Sequence, residues 1–174
     1  GSGHPATESM VETLQPTPWN TELDQAKLLP IADYFRGIRP KYKEFETSFT
    51  GADTRIFVSQ IPGGMLSNME SQMKAMGCLD RIDQVLEEVP RVRKDMGYIP
   101  LVTPTSQIVG TQAVMNVLGG ERYKMASKES KALLRGEYGR LPAPVDEDVR
   151  KKVIGDAEVI THRPADDIDR KSVV

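Results

Sequence analysis

Two stretches of this chain carry residues that could hold or steer a reacting group. Pro62-Gly63-Gly64 precedes a methionine-rich helical pattern, and Thr103-Pro104-Thr105-Ser106 precedes a second helical pattern. Paired glycines let a backbone come close to a ligand. The first N–H groups of a following helix lack intrahelical partners, which suits a carboxylate or another anion. The hydroxyls and first-turn amides of the Thr103 stretch offer the same chemistry. A plain tight turn and ordinary N-capping explain both stretches as well, so local chemistry leaves the two readings open. The two histidines, His4 and His162, stand near opposite termini, so a dyad or metal site built from them needs the ends to meet. Cys78 follows Gly77 with no histidine nearby in sequence and reads as a semi-buried structural thiol. CxxC, HExxH and GxGxxG patterns are absent, as is a phosphate loop ending in Gly-Lys-Ser/Thr.

The elements that must position these residues are mostly helical. Met10, Val11 and Leu14 share a helical face that Pro16 and Pro18 terminate. With Asn20 and Thr21 as N-cap types, a helix from about Glu22 is expected to carry Leu28, Ile31, Ala32, Phe35 and Ile38 inward, up to Pro40. Arg55–Ile61 is β-branched and aromatic and reads as the one strand. Met65, Met69, Met73 and Met76 then form one stripe, more often core filler than an adaptable binding groove. A second stripe runs from Leu79 to Met96, with a kink or restart expected at Pro90. Within Arg91-Val92-Arg93-Lys94 only Val92 points inward, and the basic residues form a solvated face. Thr103 reads as the N-cap and Pro104 as the first residue of a helix that reaches Gly119. Two shorter helices follow, from Ser127 to Arg135 and from Asp146 to Val153, and the last ten or so residues read as a tail.

Composition narrows the class. The 174 residues carry 23 Lys+Arg against 25 Asp+Glu, a net charge of −2, which argues against a nucleic-acid-binding surface. One cysteine excludes an intrachain disulfide framework and fits a reducing compartment, so a cytoplasmic location is expected. No apolar run is long enough for membrane insertion, and Gly1–Met10 lacks the basic and apolar regions of a signal peptide. The chain starts with Gly-Ser rather than Met, which fits a piece of something longer.

Four strings in order go further. Gly3-His4-Pro5-Ala6-Thr7-Glu8-Ser9 resembles the loop that closes the (β/α)8 barrel in carboxyltransferase subunits of biotin-dependent enzymes. Val58 to Asn68 resembles that family's PGG-x-x-x-N signature, and Pro100 to Gly110 resembles its V-T-P-[ST]-S-x-x-V-G signature. Gly119 to Lys124 and Leu134 to Gly139 continue the match, which runs collinearly from Gly3 to about Pro164. The likeness is nearest to oxaloacetate decarboxylase alpha subunits and to the B subunits of two-subunit pyruvate carboxylases. Single-chain pyruvate carboxylase and the transcarboxylase 5S subunit look more distant, because they commonly carry a glutamine where Met65 stands and a lysine where Gln107 stands.

The resemblance implies a mostly α (α+β) fold. Residues 1–45 would be the end of a truncated barrel, residues 46–160 a helical conserved carboxylase domain with a short β element, and residues 161–174 a linker or tail. That domain would be a funnel over the barrel mouth, lined by Pro62, Gly63, Gly64, Met65, Asn68, Thr103, Pro104 and Ser106. Ser2 and His4 would be the catalytic candidates, Ser2 standing nearest to the family's proton-shuttling hydroxyl. Biotin would arrive on a separate carrier domain, and the divalent metal would sit on upstream barrel strands. The parent enzyme would move the carboxyl group of oxaloacetate to biotin and release pyruvate, with the pyruvate carboxylase B chain as the alternative parent. The chain alone would turn nothing over; its partners would be the biotin carrier domain, other subunits of the complex and a second copy in a homodimer. A reading from a different class is a non-catalytic association module that docks through the Met65–Met76 face and the C-terminal segment.

Overall fold

Apolar spacing and end signals set the helices, and the computed structural model describes residues 5–46, 48, 60–162 and 164–167. The first helix, α1, spans Thr7–Leu14 and buries Val11. Asp24, rather than Asn20 or Thr21, caps α2 (Gln25–Ile38), its carboxylate accepting from the Ala26 N–H at 2.9 Å. Asn20 and Thr21 instead accept from Glu22 and Leu23 in local side-chain turns. A 3₁₀ segment, Arg39–Phe45, extends α2 past Pro40. The inward face expected of α2 is not buried: no residue of this helix is, and Ile31 and Phe35 are 54% and 58% exposed. α1 packs on α2, tied by Arg36 to Glu8 at 2.7 Å, and beyond this pair the α2 face finds no cover among the described residues.

The core lies in the other helices. α3 is Gly63–Ala75, α4 is Ile82–Asp95, α5 is Thr105–Leu118, α6 is Lys128–Leu134 and α7 is Glu147–Ile154. α5 is the hub: it packs on α3, α4 and α6, and α7 packs on α6. Its sequence has no charged residue, which fits a helix covered on most of its surface. α4 is its main partner and presents Val85, Val89 and Val92, all fully buried. No restart occurs at Pro90: α4 continues through it. Proline in a helix costs about 3 kcal/mol. Burial of the three valines, at roughly 1.5–3 kcal/mol each, offsets this. Leu79–Arg81 is a separate 3₁₀ turn before α4. Gly97 closes α4 at φ +74°, with the Tyr98 N–H donating to the Arg93 carbonyl at 2.8 Å.

The fold is mostly α, as the sequence implied, and no strand occurs among the described residues. The expected strand Arg55–Ile61 falls largely on 55–59, outside the described residues, as do Ser2, His4 and the tail from 168 onward. The methionine stripe resolves toward core: Met65, Met69 and Met73 are buried and only Met76 is exposed. Met65, Met69 and Met73 pack inside the chain, so within that stripe Met76 is the one methionine with a largely exposed side chain to offer for association.

Candidate functional site

Pro62 occupies the N-cap position of α3 with no side-chain cap, so the helix opens on backbone alone. α5 opens differently from the sequence reading. Pro104, not Thr103, holds its N-cap position, after a cis Thr103–Pro104 bond. The Thr105 hydroxyl donates back to the Val102 carbonyl at 2.8 Å, so it serves the turn rather than a ligand.

The two helix starts meet at one groove of about 330 Å³. One wall is Pro62, Gly64, Met65, Asn68, Met69 and Gln72. The other begins at Leu101, Val102 and Thr103 and continues along α5 through Ser106, Gln107, Gly110 and Thr111. Six of the eight expected funnel residues are thus in one cavity; Gly63 and Pro104 are not part of its lining. Gln72, Gln107 and Thr111 join the lining without being singled out by the sequence as site residues. Their signal lies in helical spacing, since they follow Asn68, Thr103 and Gln107 by four positions.

None of the lining residues is ionisable. Carboxamides and hydroxyls supply donors and acceptors, while Met65, Met69, Leu101 and Val102 supply apolar surface. A Cβ built on Gly64 would meet nothing within 4 Å, so the space beside it is open. A Cβ on Gly110 would lie 3.2 Å from the Met65 Cε, so that glycine lets α3 approach α5.

Outside the groove lining, a largely buried polar network that the sequence did not reveal ties α5 and the turn after it to α4. Arg122 donates to Glu88 and to Asp95, each at 2.6 Å. Asn116 donates to Glu88 at 2.9 Å and accepts from the Tyr123 N–H at 2.8 Å and from the Gln112 side chain at 2.9 Å. The Tyr123 hydroxyl donates to Asp95 at 2.9 Å. Burial, reinforced by the Asp95 charge, pushes the Tyr123 phenol well above its usual value. Burial opposes the Arg122 charge, but the hydrogen bonds to Glu88 and Asp95 overcome it and hold the guanidinium above its usual value. His162 lines a different, more open cavity of about 740 Å³ with Arg140 and Arg150, and none of the groove residues borders it.

Among the described residues no three His, Cys, Asp or Glu side chains converge on a cation position, and no helix is long and apolar enough to cross a membrane. The chain is thus a mostly helical module with an uncharged groove between two helix starts. The conserved carboxylase domain model matches residues 56–173 of this chain. The B chain of pyruvate carboxylase from Methanothermobacter thermautotrophicus is 56% identical over 167 residues, covering 95% of this chain and 29% of that protein. The methylmalonyl-CoA carboxyltransferase 5S subunit of Propionibacterium freudenreichii subsp. shermanii is 54% identical over 168 residues, covering 95% of this chain and 33% of that protein. It stands nearly as close as the Methanothermobacter protein, against the sequence expectation that it would be more distant. The carboxyl transferase domain of Rhizobium etli pyruvate carboxylase, solved with pyruvate, superposes with a TM-score of 0.83 at 26% identity, covering 95% of this chain and 29% of that one. The chain belongs to the conserved carboxylase domain family. It spans about a third or less of the length of the relatives named here.

Proposed function

We propose that this chain forms the funnel region of a biotin-dependent carboxyltransferase and that its groove receives the biotin head group. The observation that carries the reading is the uncharged lining, in which Asn68, Gln72, Gln107, Thr103 and Ser106 accompany methionine and leucine. A neutral ureido ring needs hydrogen-bond partners without ionic competition, and its thioether ring and aliphatic arm need apolar contact. Biotin supplies a ureido nitrogen that exchanges its proton for the carboxyl group. The chain's residues bind and orient that ring and keep water away from it.

The proposed substrate pair is pyruvate and oxaloacetate, with a parent like the pyruvate carboxylase B chain ahead of an oxaloacetate decarboxylase. This follows the 56% identity to a protein of the former name. Ser2 and His4 remain the proposed proton-handling residues, by resemblance alone. The domain division also stays a proposal: residues 1–45 end a barrel, 46–160 form the funnel and 161–174 link onward. The exposed α2 face, with Ile31, Tyr34 and Phe35, supports it as a surface awaiting cover from the rest of the polypeptide. The described residues do not fit a metal site, so metal chemistry is assigned to none of them and the chain alone is expected to be inactive. The same reading gives a biotin carrier domain as partner, a homodimer as assembly and the cytoplasm as compartment.

The test uses the full-length polypeptide containing this chain. Gly64→Leu sends a side chain into the groove from a position where its Cβ meets nothing within 4 Å. The KM for free biotin in carboxyl transfer from oxaloacetate should rise about tenfold or more, while methyl proton exchange of pyruvate stays unchanged. An unchanged biotin KM in a folded Gly64→Leu enzyme refutes the assignment of the groove.

A further inference from the structure

We propose that Arg93 is the positioning residue that sets the spacing of the groove's two walls where both begin; this rests on the biotin reading of the groove. By sequence Arg93 belongs to a solvated basic run, yet it is partly buried and its side chain makes two hydrogen bonds. It stands in the last turn of α4, and its carbonyl accepts from the Tyr98 N–H at 2.8 Å, which fixes the exit from that helix. Its Nε donates to the Ile99 carbonyl at 3.1 Å, and its Nη1 donates to the Gln60 side-chain oxygen.

These two acceptors hold equivalent places on the two walls. Two residues after Gln60 comes Pro62, where the first wall starts, and two residues after Ile99 comes Leu101, where the second starts. Ile61 and Ile99 are 2% and 1% exposed, so each wall is anchored in the core just beside its arginine contact. Gln60 adopts φ +59°, a left-handed backbone that a non-glycine residue keeps only when its surroundings hold it. One planar guanidinium therefore bridges segments 39 positions apart in sequence, and its fixed fork sets their separation more rigidly than a single ammonium could. The walls continue into α3 and α5, which pack together where Gly110 faces Met65. Arg93 closes the frame at the opening end and touches neither substrate nor biotin.

The experiment again uses the full-length polypeptide, with free biotin as the probe. Arg93→Met removes both side-chain hydrogen bonds, and the biotin KM should rise about fivefold to tenfold while kcat at saturating biotin and pyruvate methyl exchange stay within about twofold. Arg93→Lys keeps the charge without the fork and should recover less than half of the loss. Gln60→Gly removes the acceptor and relieves the left-handed backbone, so it folds even if Arg93→Met does not; its biotin KM should rise in the same way. The double variant should be no worse than Arg93→Met alone. A residue of merely structural importance would instead lower kcat and exchange together with the folded fraction. If Gly64→Leu raises the biotin KM but Arg93→Met and Gln60→Gly leave it unchanged, the role of Arg93 is overturned and the groove reading stands. If none of the three raises it, the groove reading itself has failed.

Discussion

Asn116 is the position at which the buried network can be tested most sharply. Its backbone-facing oxygen accepts from the Tyr123 N–H, so the amide nitrogen must be the atom that faces Glu88, at 2.9 Å. Asn116→Asp keeps the shape but turns that donor into an acceptor, placing two carboxylates in contact at a site 4% exposed. Two unit charges about 2.9 Å apart repel by about 6 kcal/mol at an effective dielectric constant of about 20. Arg122, already bound to Glu88, relieves part of this, which leaves a deficit of about 4 kcal/mol in the charged state. Such a deficit raises the folded-state pKa of the new carboxyl by about 3 above its unfolded value near 3.9. Between those two pKa values the folded state binds more protons than the unfolded one, so stability relative to the parent chain falls as pH rises. The expected deficit is about 1.5 kcal/mol at pH ~5 and about 4 kcal/mol at pH ~8. Asn116→Ala, which strands the Tyr123 N–H without adding charge, should lose about 2–3 kcal/mol with little pH dependence over that range. Urea unfolding followed by circular dichroism at a series of pH values measures both. A variant Asn116→Asp as stable as the parent at pH ~8, or one with a pH-flat deficit, would show that Asn116 does not bridge the network as described.

Gly97→Ala should cost about 3 kcal/mol in the same assay, because the position has φ +74° and the new Cβ would lie 2.4 Å from the Ala143 carbonyl oxygen; a loss below about 1 kcal/mol would contradict that crowding. In an alkaline absorbance titration, one of the five tyrosines should ionise only as the chain unfolds, since Tyr123 alone is buried against Asp95 while the other four are exposed. Because the folded phenol holds its proton more tightly than the unfolded one, stability should decline as pH rises above about 10, and Tyr123→Phe should remove that decline. Trp19, the single tryptophan, is 77% exposed and should emit as a solvated indole in the isolated chain, with no red shift on adding urea; a blue-shifted emission that moves on denaturation would mean that the chain covers it.

Much of the helical layout was legible because its signals are local. Ser127 and Asp146 cap the helices expected of them, their side chains accepting from Ser130 and Val149. α5 ends at Leu118, before the paired glycines. The stripe expected from Leu79 to Met96 carries Val89, Val92 and Met96, all fully buried. Where local signals competed, tertiary packing chose between them. Pro90 did not break α4, because the valines around it are all buried. Asp24 prevailed over Asn20 and Thr21 because those two were already engaged in turns of their own.

Six of the groove residues were marked in the sequence by two short strings with glycine or proline at a helix start. Their union in one cavity was a tertiary fact, because nothing in residues 62–72 states how far away residue 101 will stand. The same holds for Arg93, whose neighbours in sequence suggest water and whose neighbours in space are the Gln60 side chain and the Ile99 carbonyl. It holds also for Glu88, Asp95 and Arg122, which read as surface charges until α4 and the turn after α5 are packed together. Sequence alone settled where backbone hydrogen bonds close within a few residues, since helix ends and turns depend on near neighbours. Which polar side chains would be buried together, and which apolar face of α2 would stay open, depended on contacts between distant segments, and only the folded chain determines those.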